Sequence, residues 1–255
     1  MSQPARALPR LYLFAISHYC EKARWALERA GIAHTCVSVV PGAHTRLAKR
    51  LGVPERTVPI LVLGDGVAIQ GSAKIAAWAA THAPSALPLG DPGVEARLDR
   101  VLGAHVTLYY YSEALVEHPK TVRPIFVSGL GLLPRLMFWA AWSQVQRAMI
   151  EGMQLSEAQW AASRAAIMTE LDWLDALLGD GRAWLGGERP GREDIAAASL
   201  LAPLVLPPEH PIYGTLVLPP RVGADCAAWR ERPSFALVRR LYREHRHAHP
   251  AHAVA

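Results

Sequence analysis

The sequence predicts an α/β + all-α protein, in which a domain with a small mixed sheet precedes a helical bundle. Between residues 11 and 82, short apolar runs and helical patterns alternate in the order β-α-β-α-β-β-α. Residues 83–93 are rich in proline and glycine, a composition typical of a linker. Beyond them the strand patterns end, and segments with helical spacing continue to His245. We therefore expect two domains, at residues 9–82 and 94–245.

The elements of the first half follow from the spacing of apolar residues and from the turns between them. Residues 11–16 form an apolar run of strand length, and residues 21–30 show helical spacing that ends at Gly31. Gly64-Asp65-Gly66 separates two apolar runs, which indicates a hairpin. The other predicted elements are strands at 36–40, 58–63 and 67–69, and helices at 45–51 and 73–80.

The second half is predicted to be helical throughout. Helices are expected at residues 94–117, 135–151, 156–178, 195–206 and 226–245. Ser156 with Gln159 three residues later is a capping-box pattern at the start of the third of these helices. With Gly191 as an N-cap, Asp194 is the third residue of the helical turn that leads into the fourth helix, so we expect it to accept backbone N–H groups and to serve folding.

Composition excludes several classes of protein. Of 255 residues, 51% are hydrophobic and 19% are charged, which is too apolar for a disordered chain. The net charge of +5 is scattered among acids, so no nucleic-acid-binding stripe is expected. Three dispersed cysteines predict no disulfide scaffold and favour a reducing compartment. We expect no secretory leader and no stable membrane insertion, because the longest apolar stretches are broken by Pro134, Arg135 and Pro203.

Three short motifs place polar groups where helices and strands begin. Ser17 and Cys20 stand three residues apart at the start of the first helix. A helix N-terminus offers unpaired N–H groups and a partial positive charge, so a hydroxyl or thiol there can hold an anionic sulfur or be acidified. Pro59 lies in an apolar run and has no N–H for a sheet ladder, so it belongs at a strand start or edge. Ser72 opens a helix, where its hydroxyl and N–H suit an anion.

Together these motifs resemble the thioredoxin-like domain of the glutathione transferases, and bacterial members of the serine or cysteine type in particular. The resemblance rests on SHYCEKARWALERAGI (Ser17 to Ile32), TVPIL (Thr57 to Leu61), IQGSAKIAAW (Ile69 to Trp78) and AWLGGERPGREDIAAASLLAPL (Ala183 to Leu204). It implies a thioredoxin-like domain before an all-helical one, and glutathione as co-substrate. It further implies a cytoplasmic, homodimeric enzyme of detoxification that conjugates the glutathione thiolate to a small hydrophobic electrophile.

The resemblance also assigns residues to glutathione. The catalytic candidates are Ser17, which would stabilise the thiolate by a hydrogen bond, and Cys20, the second position of the motif. A cis peptide bond before Pro59 would let the backbone of Val58 pair with the cysteinyl backbone of glutathione like an added strand. Ser72 would meet the γ-glutamyl carboxylate. The full set of expected contacts is Ser17, His18, Thr57, Val58, Pro59, Gln70, Gly71 and Ser72.

The sequence departs from the family pattern beside Ser72. Gly71 stands where the family has an acidic residue for the γ-glutamyl ammonium group, and Gln70 is expected to substitute through its amide oxygen. Leu13 occupies the position of the hydroxyl in tyrosine-type families, which disfavours that type. The cation for the glycyl end of glutathione stays open among Arg46, Lys49 and Arg56.

Other interpretations of these residues stay open. Cys20 is expected to be buried against the sheet, because free cysteine is among the most buried residue types. A thiol-disulfide reductase that uses Cys20 and a non-catalytic binder of ligands or partners are the alternative functions. His18 lies either beside the thiol pocket or on the surface. For His245, His247, His249 and His252 a solvated terminus is favoured over a metal site.

An apolar pocket for the acceptor substrate is expected between the domains. It would be lined by aromatic and methionine side chains, namely Tyr109, Tyr110, Tyr111, Met137, Phe138, Trp139 and Trp142.

Overall fold

A four-stranded mixed sheet with helices forms the N-terminal part of the computed structural model, which describes residues 7–128, 130–210 and 212–246. The strands run in the spatial order β2-β1-β3-β4, with β2 parallel to β1 and the other pairs antiparallel. This is the thioredoxin-like arrangement. Its elements are β1 (Arg10–Leu13), α1 (His18–Arg29), β2 (Thr35–Ser38), α2 (Ala43–Arg50), β3 (Ile60–Val62), β4 (Ala68–Gln70) and α3 (Ser72–His82).

The order of these elements agrees with the prediction, but β1 is shorter than expected. It ends at Leu13 because Phe14 and the next residues leave the sheet and turn into α1. The N–H of Ser17 donates to the carbonyl of Phe14 at 3.1 Å and closes this turn. The expected hairpin is present, since the N–H of Leu63 donates to the carbonyl of Val67 at 2.8 Å.

Helices make up the rest of the described chain. They are α4 (Pro92–Arg97), a π-helical turn (Leu98–Gly103), α5 (Ala104–Ala114), α6 (Pro119–Val122), α7 (Leu132–Ala140), α8 (Trp142–Met153), α9 (Glu157–Leu178), α10 (Arg192–Val205), α11 (Pro220–Trp229) and α12 (Pro233–His245), with 3-10 segments at Arg123–Val127 and Tyr213–Thr215. The side chain of Ser156 caps α9 by accepting from the N–H of Gln159 at 3.1 Å, as the capping-box pattern predicts.

Three of the predicted helices are divided in the structure. The helix expected at 94–117 is continuous but consists of α4, the π turn and α5 in succession. The helix expected at 135–151 is two helices that meet at Ala141. The helix expected at 226–245 is likewise two, because Pro233 starts a new helix after the extended residue Arg232. Apolar periodicity predicted helical content here but not the breaks.

The helical half is fixed to α1 by buried polar contacts. The ammonium group of Lys22 is fully buried between Glu95 at 2.8 Å and Asp99 at 2.6 Å. Tyr19 donates its hydroxyl hydrogen to the carbonyl of Asp99 at 2.6 Å. These bonds place the start of α1 beside the π turn, and therefore beside the helical residues that complete the cavity described below.

The start of α10 has the structural role expected for Asp194. Its carboxylate accepts the N–H groups of Leu185 at 2.8 Å, Gly186 at 3.2 Å and Gly191 at 2.9 Å. Two of these donors belong to the preceding loop, so Asp194 fastens that loop as well as the helix end. Among the described residues, no helix has the length and apolarity needed to cross a membrane. His247, His249 and His252 lie outside the described residues.

Candidate functional site

A cavity of about 970 Å³ opens between the start of α1 and the helical half. Its walls come from both halves of the chain and are largely apolar. They consist of Phe14, Ile16, Ser17, His18, Tyr19, Pro41, Gly42, His44, Arg56, Thr57, Val106, Thr107, Tyr110, Tyr111, Phe126, Val145, Ala148, Met149, Gly152, Met153, Pro203, Tyr213 and Leu216.

Ser17 lies on this cavity as the N-cap of α1. Its Oγ accepts the N–H of Cys20 at 3.3 Å, which uses one lone pair of the oxygen. The hydroxyl hydrogen remains a donor, and the first turn of α1 adds its partial positive charge at the same place. The side chain is half-buried, so a ligand in the cavity can reach it. This arrangement suits an anionic sulfur.

Cys20 lies one helical turn further on and does not line the cavity. Only 2% of the residue is exposed, and its Sγ accepts the N–H of Phe14 at 3.4 Å. Burial raises the pKa of the Cys20 thiol to about 11, so the group is a neutral thiol near pH 7. The placement agrees with a small buried residue against the sheet.

His18 lines the cavity rather than the outer surface. Burial lowers the pKa of its imidazole to about 4, opposed in part by a hydrogen bond with the backbone of Gly103. Its Nε2 lies 3.4 Å from the hydroxyl of Thr107 on α5. A neutral imidazole therefore stands between α1 and the π turn, next to Ser17.

The backbone before β3 has the geometry expected from the motif. The Val58–Pro59 peptide bond is cis. The carbonyl of Pro59 accepts the N–H of Gly71 at 3.0 Å, which joins this segment to the start of α3. Within the described part of the chain, neither the N–H nor the carbonyl of Val58 has a hydrogen-bond partner. The neighbouring Thr57 is exposed and lines the cavity.

Gln70 has a different place from the one expected. Its Oε1 accepts the N–H of Glu55 at 2.9 Å, and its Nε2 donates to the carbonyls of Glu55 at 2.7 Å and Thr57 at 2.9 Å. The amide oxygen expected to meet a ligand ammonium group is therefore turned toward the chain itself. Gln70 holds the loop that leads to Pro59, a role that sequence reasoning missed.

The start of α3 lies on the same side as Pro59. Gly71 is its N-cap with a φ of 94°, the left-handed region that favours glycine, and Ser72 is the first helical residue. The side chain of Ser72 is buried, at 6% exposure. Of the three cations left open by the sequence, Arg56 lines the cavity, whereas Arg46 and Lys49 are exposed on α2.

The apolar wall differs from the predicted one. Tyr110 and Tyr111 line the cavity, but Tyr109 is buried on the other side of α5 and donates to Asp225 at 2.8 Å. The expectation was also wrong for Met137 and Trp139, which are exposed by 65% and 38% because α7 turns that side outward. The buried rings of Phe138 and Trp142 pack behind Phe126, which itself lines the cavity.

Several lining residues gave no signal in the sequence. Met149 and Met153 come from α8, and Tyr213 follows the proline-rich segment after α10. Tyr213 donates its hydroxyl hydrogen to the carbonyl of Ile16, just before Ser17. A pairing between residues so far apart in the chain cannot be read from local patterns.

The N-terminal domain is similar to a known family. Residues 11–87 match the sequence model of the glutathione S-transferase N-terminal domain. By this match, residues 11–87 are a glutathione S-transferase N-terminal domain. The matched range contains Ser17, the Val58–Pro59 peptide and Ser72. No curated protein matches the sequence.

Solved structures of glutathione S-transferases share the fold along nearly the whole chain. One from Ceriporiopsis subvermispora in complex with glutathione has a TM-score of 0.63 at 16% identity, over 96% of this chain and 100% of that chain. One from Phanerochaete chrysosporium has a TM-score of 0.60 at 15% identity, with the same coverage. A second from C. subvermispora with glutathione has a TM-score of 0.55 at 15% identity, over 93% and 97%. At these identities the likeness shows the fold.

Proposed function

We propose that this chain is a member of the glutathione S-transferase family and that it binds glutathione between Ser17, Val58 and Ser72. The proposal assigns the adjoining cavity to a hydrophobic electrophile that receives the glutathione thiolate. The observation that carries it is the Ser17 hydroxyl, which lies at the N-terminus of α1 and on an apolar cavity at once. Support for glutathione as the ligand comes from the family match and from the two relatives of this fold that hold it.

In this proposal each part of glutathione meets a different group. The Ser17 hydroxyl and the first turn of α1 stabilise the thiolate, which is the reactive form of the sulfur. The free N–H and carbonyl of Val58 pair with the cysteinyl backbone as an added strand. Ser72 and the start of α3 take the γ-glutamyl carboxylate. Arg56, as the cation on the cavity, takes the glycyl carboxylate.

The second substrate lies against the apolar wall. Tyr110, Tyr111 and Phe126 offer aromatic faces, and Met149 and Met153 add adaptable thioethers. The thiolate sulfur supplies the electron pair of the new carbon–sulfur bond, and the leaving group or the electrophile's π bond takes up the displaced pair. Ser17 contributes by keeping the sulfur ionised near neutral pH, and it donates no proton to the product.

Gln70 and Gly71 favour a second candidate, a glutathione binder without transferase activity. The amide of Gln70 is used within the chain, and Gly71 has no side chain. The described residues therefore provide no acidic side chain at these two positions for the γ-glutamyl ammonium group. The thiol-reductase alternative is less well supported, since the thiol of Cys20 is buried and its pKa is raised to about 11.

Calorimetric titration with millimolar glutathione, followed by a conjugation assay with a panel of aryl and alkyl halides, tests the proposal. We expect binding heat and conjugation in the wild-type protein, and both in the Cys20→Ser variant. No heat would contradict glutathione binding. Binding without conjugation across the panel would establish the non-catalytic candidate instead. Loss of all activity in Cys20→Ser, with Ser17→Ala active, would establish the reductase.

A further inference from the structure

The outward side of α7 is an unusual surface for a water-soluble helix. Its large apolar side chains stand three and four residues apart and reach solvent, and only Phe138 of this helix is buried. The exposed fractions are 75% for Leu132, 68% for Leu133, 52% for Leu136, 65% for Met137 and 38% for Trp139. These five residues, called the α7 face below, are half of the ten exposed large hydrophobic residues in the described chain. Such a contiguous patch marks an interaction surface.

The segment around the α7 face is exclusively basic. Between Glu117 and Glu151 the sequence has no acidic residue. Its four cations are Lys120, Arg123, Arg135 and Arg147. None of them forms a salt bridge with any residue that the structure describes, whereas many other arginines of the chain are paired. The positive charge here is therefore available to an anionic partner.

Two arginines lie beside the tryptophan of the α7 face. The guanidinium carbons of Arg123 and Arg135 lie 5.3 Å and 5.0 Å from the ring centre of Trp139. Tryptophan with an apolar body and a polar N–H, flanked by cations, is the combination that favours the boundary between lipid headgroups and acyl chains. Leucine side chains on the same helix supply the apolar area that such a helix buries.

We propose that the α7 face docks on the surface of a membrane that contains anionic lipids. The apolar side chains enter the headgroup boundary, and Arg123 and Arg135 beside Trp139 face the lipid phosphates. Charge complementarity selects this occupant, because a second copy of the chain docked through the same face would bring its own Arg123 and Arg135 against these two cations. The docking is peripheral, since α7 has only nine residues. Docking needs no glutathione, so its test is independent of the test of the proposed function.

Sedimentation of the 255-residue chain with vesicles tests this proposal. We expect binding to vesicles of phosphatidylglycerol and phosphatidylcholine, and at least tenfold weaker partition to phosphatidylcholine alone. The Arg123→Gln/Arg135→Gln variant removes two cations and should lower partition about thirtyfold. The Leu132→Ser/Leu133→Ser variant should lower it more than tenfold. Val217→Ser and Arg230→Gln, which change exposed residues elsewhere, should bind as the wild type does.

The outcomes separate the occupants of the α7 face. No sedimentation with anionic vesicles would overturn the proposal, and so would equal partition to both kinds of vesicle. Sedimentation velocity without lipid gives a second reading. A dimer that Leu132→Ser/Leu133→Ser dissociates, together with absent vesicle binding, would assign the face to a second copy of the chain. Circular dichroism of each variant establishes that it is folded.

Discussion

Gln70 and Glu55 are joined by two hydrogen bonds that close a ring between a side chain and a backbone. The Oε1 of Gln70 accepts a hydrogen bond from the N–H of Glu55 at 2.9 Å, and its Nε2 donates one to the carbonyl of Glu55 at 2.7 Å. The same amide also donates to Thr57, next to the cis peptide of Val58. A residue at the start of the expected γ-glutamyl subsite thus supports the segment that presents Val58, instead of touching the ligand.

Replacing Gln70 by alanine should therefore weaken glutathione binding without removing a ligand contact. The loop loses three hydrogen bonds, and the free energy of unfolding should fall by about 1–3 kcal/mol because backbone groups of Glu55 and Thr57 lose their partners. Urea denaturation and glutathione titration measure the two effects. Gln144→Ala, at an exposed position on α8, is the matched control. Unchanged glutathione affinity in a destabilised Gln70→Ala variant would show that the ring serves stability alone.

Ser17→Ala should raise the pKa of bound glutathione and slow conjugation. The variant loses a hydrogen bond to a charged sulfur, on the order of 1.5–3 kcal/mol, which corresponds to roughly ten- to a hundredfold in rate. Thiolate absorbance against pH gives the pKa directly. Ser156→Ala removes an equivalent cap bond from α9 and controls for helix capping. An equal pKa of bound glutathione in both variants would contradict the catalytic assignment of Ser17.

The three thiols should be unreactive in the native protein. Burial is the main cause that raises the pKa of Cys20 and Cys36 to about 11, and of Cys226 to about 12. The thiolate is the reactive species, so a disulfide reagent at pH 7.5 should find no fast-reacting thiol in folded protein and three after denaturation. A thiol that reacts within minutes in the native state, and is lost in Cys20→Ser, would favour the reductase.

His18 should make the protein less stable in acid. Its pKa is lowered by burial from 6.5 to about 4, so between these values the unfolded chain binds a proton that the folded chain does not. Its contribution is complete above pH 6.5 and is lost as pH falls toward 4, for a total of about 3 kcal/mol. Urea denaturation across this range should show a smaller loss for His18→Gln than for the wild type or for His82→Gln, which changes an exposed histidine. The same dependence of unfolding free energy on pH in His18→Gln and the wild type would refute this role of His18.

Removing Arg246 should destabilise the whole molecule. Its guanidinium bonds Glu21 at 2.7 Å and also Glu28, and so fastens the end of α12 to α1. Burial would raise the pKa of Glu21, but the charges of Arg24 and Arg246 outweigh it and hold that pKa well below its usual range. Arg246→Met leaves a buried carboxylate short of a partner, which typically costs about 3–5 kcal/mol. The midpoint of urea unfolding should drop accordingly, and Arg243→Met, at an exposed position, should leave it unchanged.

Local chemistry predicted the N-terminal half well because its signals are contained in short segments. Ser17 as a cap and the Gly64–Gly66 hairpin each involve residues within a few positions of one another. The cap at Ser156, in the helical half, was predicted for the same reason. The cis peptide before Pro59 came from the family resemblance, and the structure confirms it. The observed end of β1 differs from the predicted one because the chain leaves the sheet at Phe14.

The cavity wall was harder to predict because it depends on rotation about helix axes and on distant pairings. Three consecutive tyrosines offered no way to tell that Tyr109 faces Asp225 while Tyr110 and Tyr111 face the cavity. The aromatic content of α7 suggested a pocket, but the pocket side belongs to α8, and α7 turns outward. Composition identified apolar material, whereas tertiary packing decided which of it lines the cavity.

The π turn at Leu98–Gly103 determines which side of α5 faces the cavity. A π turn closes one residue later than an α turn, so every side chain beyond it is rotated by about 100° relative to an unbroken α-helix. Val106, Thr107, Tyr110 and Tyr111 all come after this point and share the side that faces the cavity. Deleting one residue from the turn would restore a regular helix and swing that whole side away from Ser17. A single inserted residue, far from any reacting atom, is thus sufficient to determine which aromatic rings an incoming molecule meets.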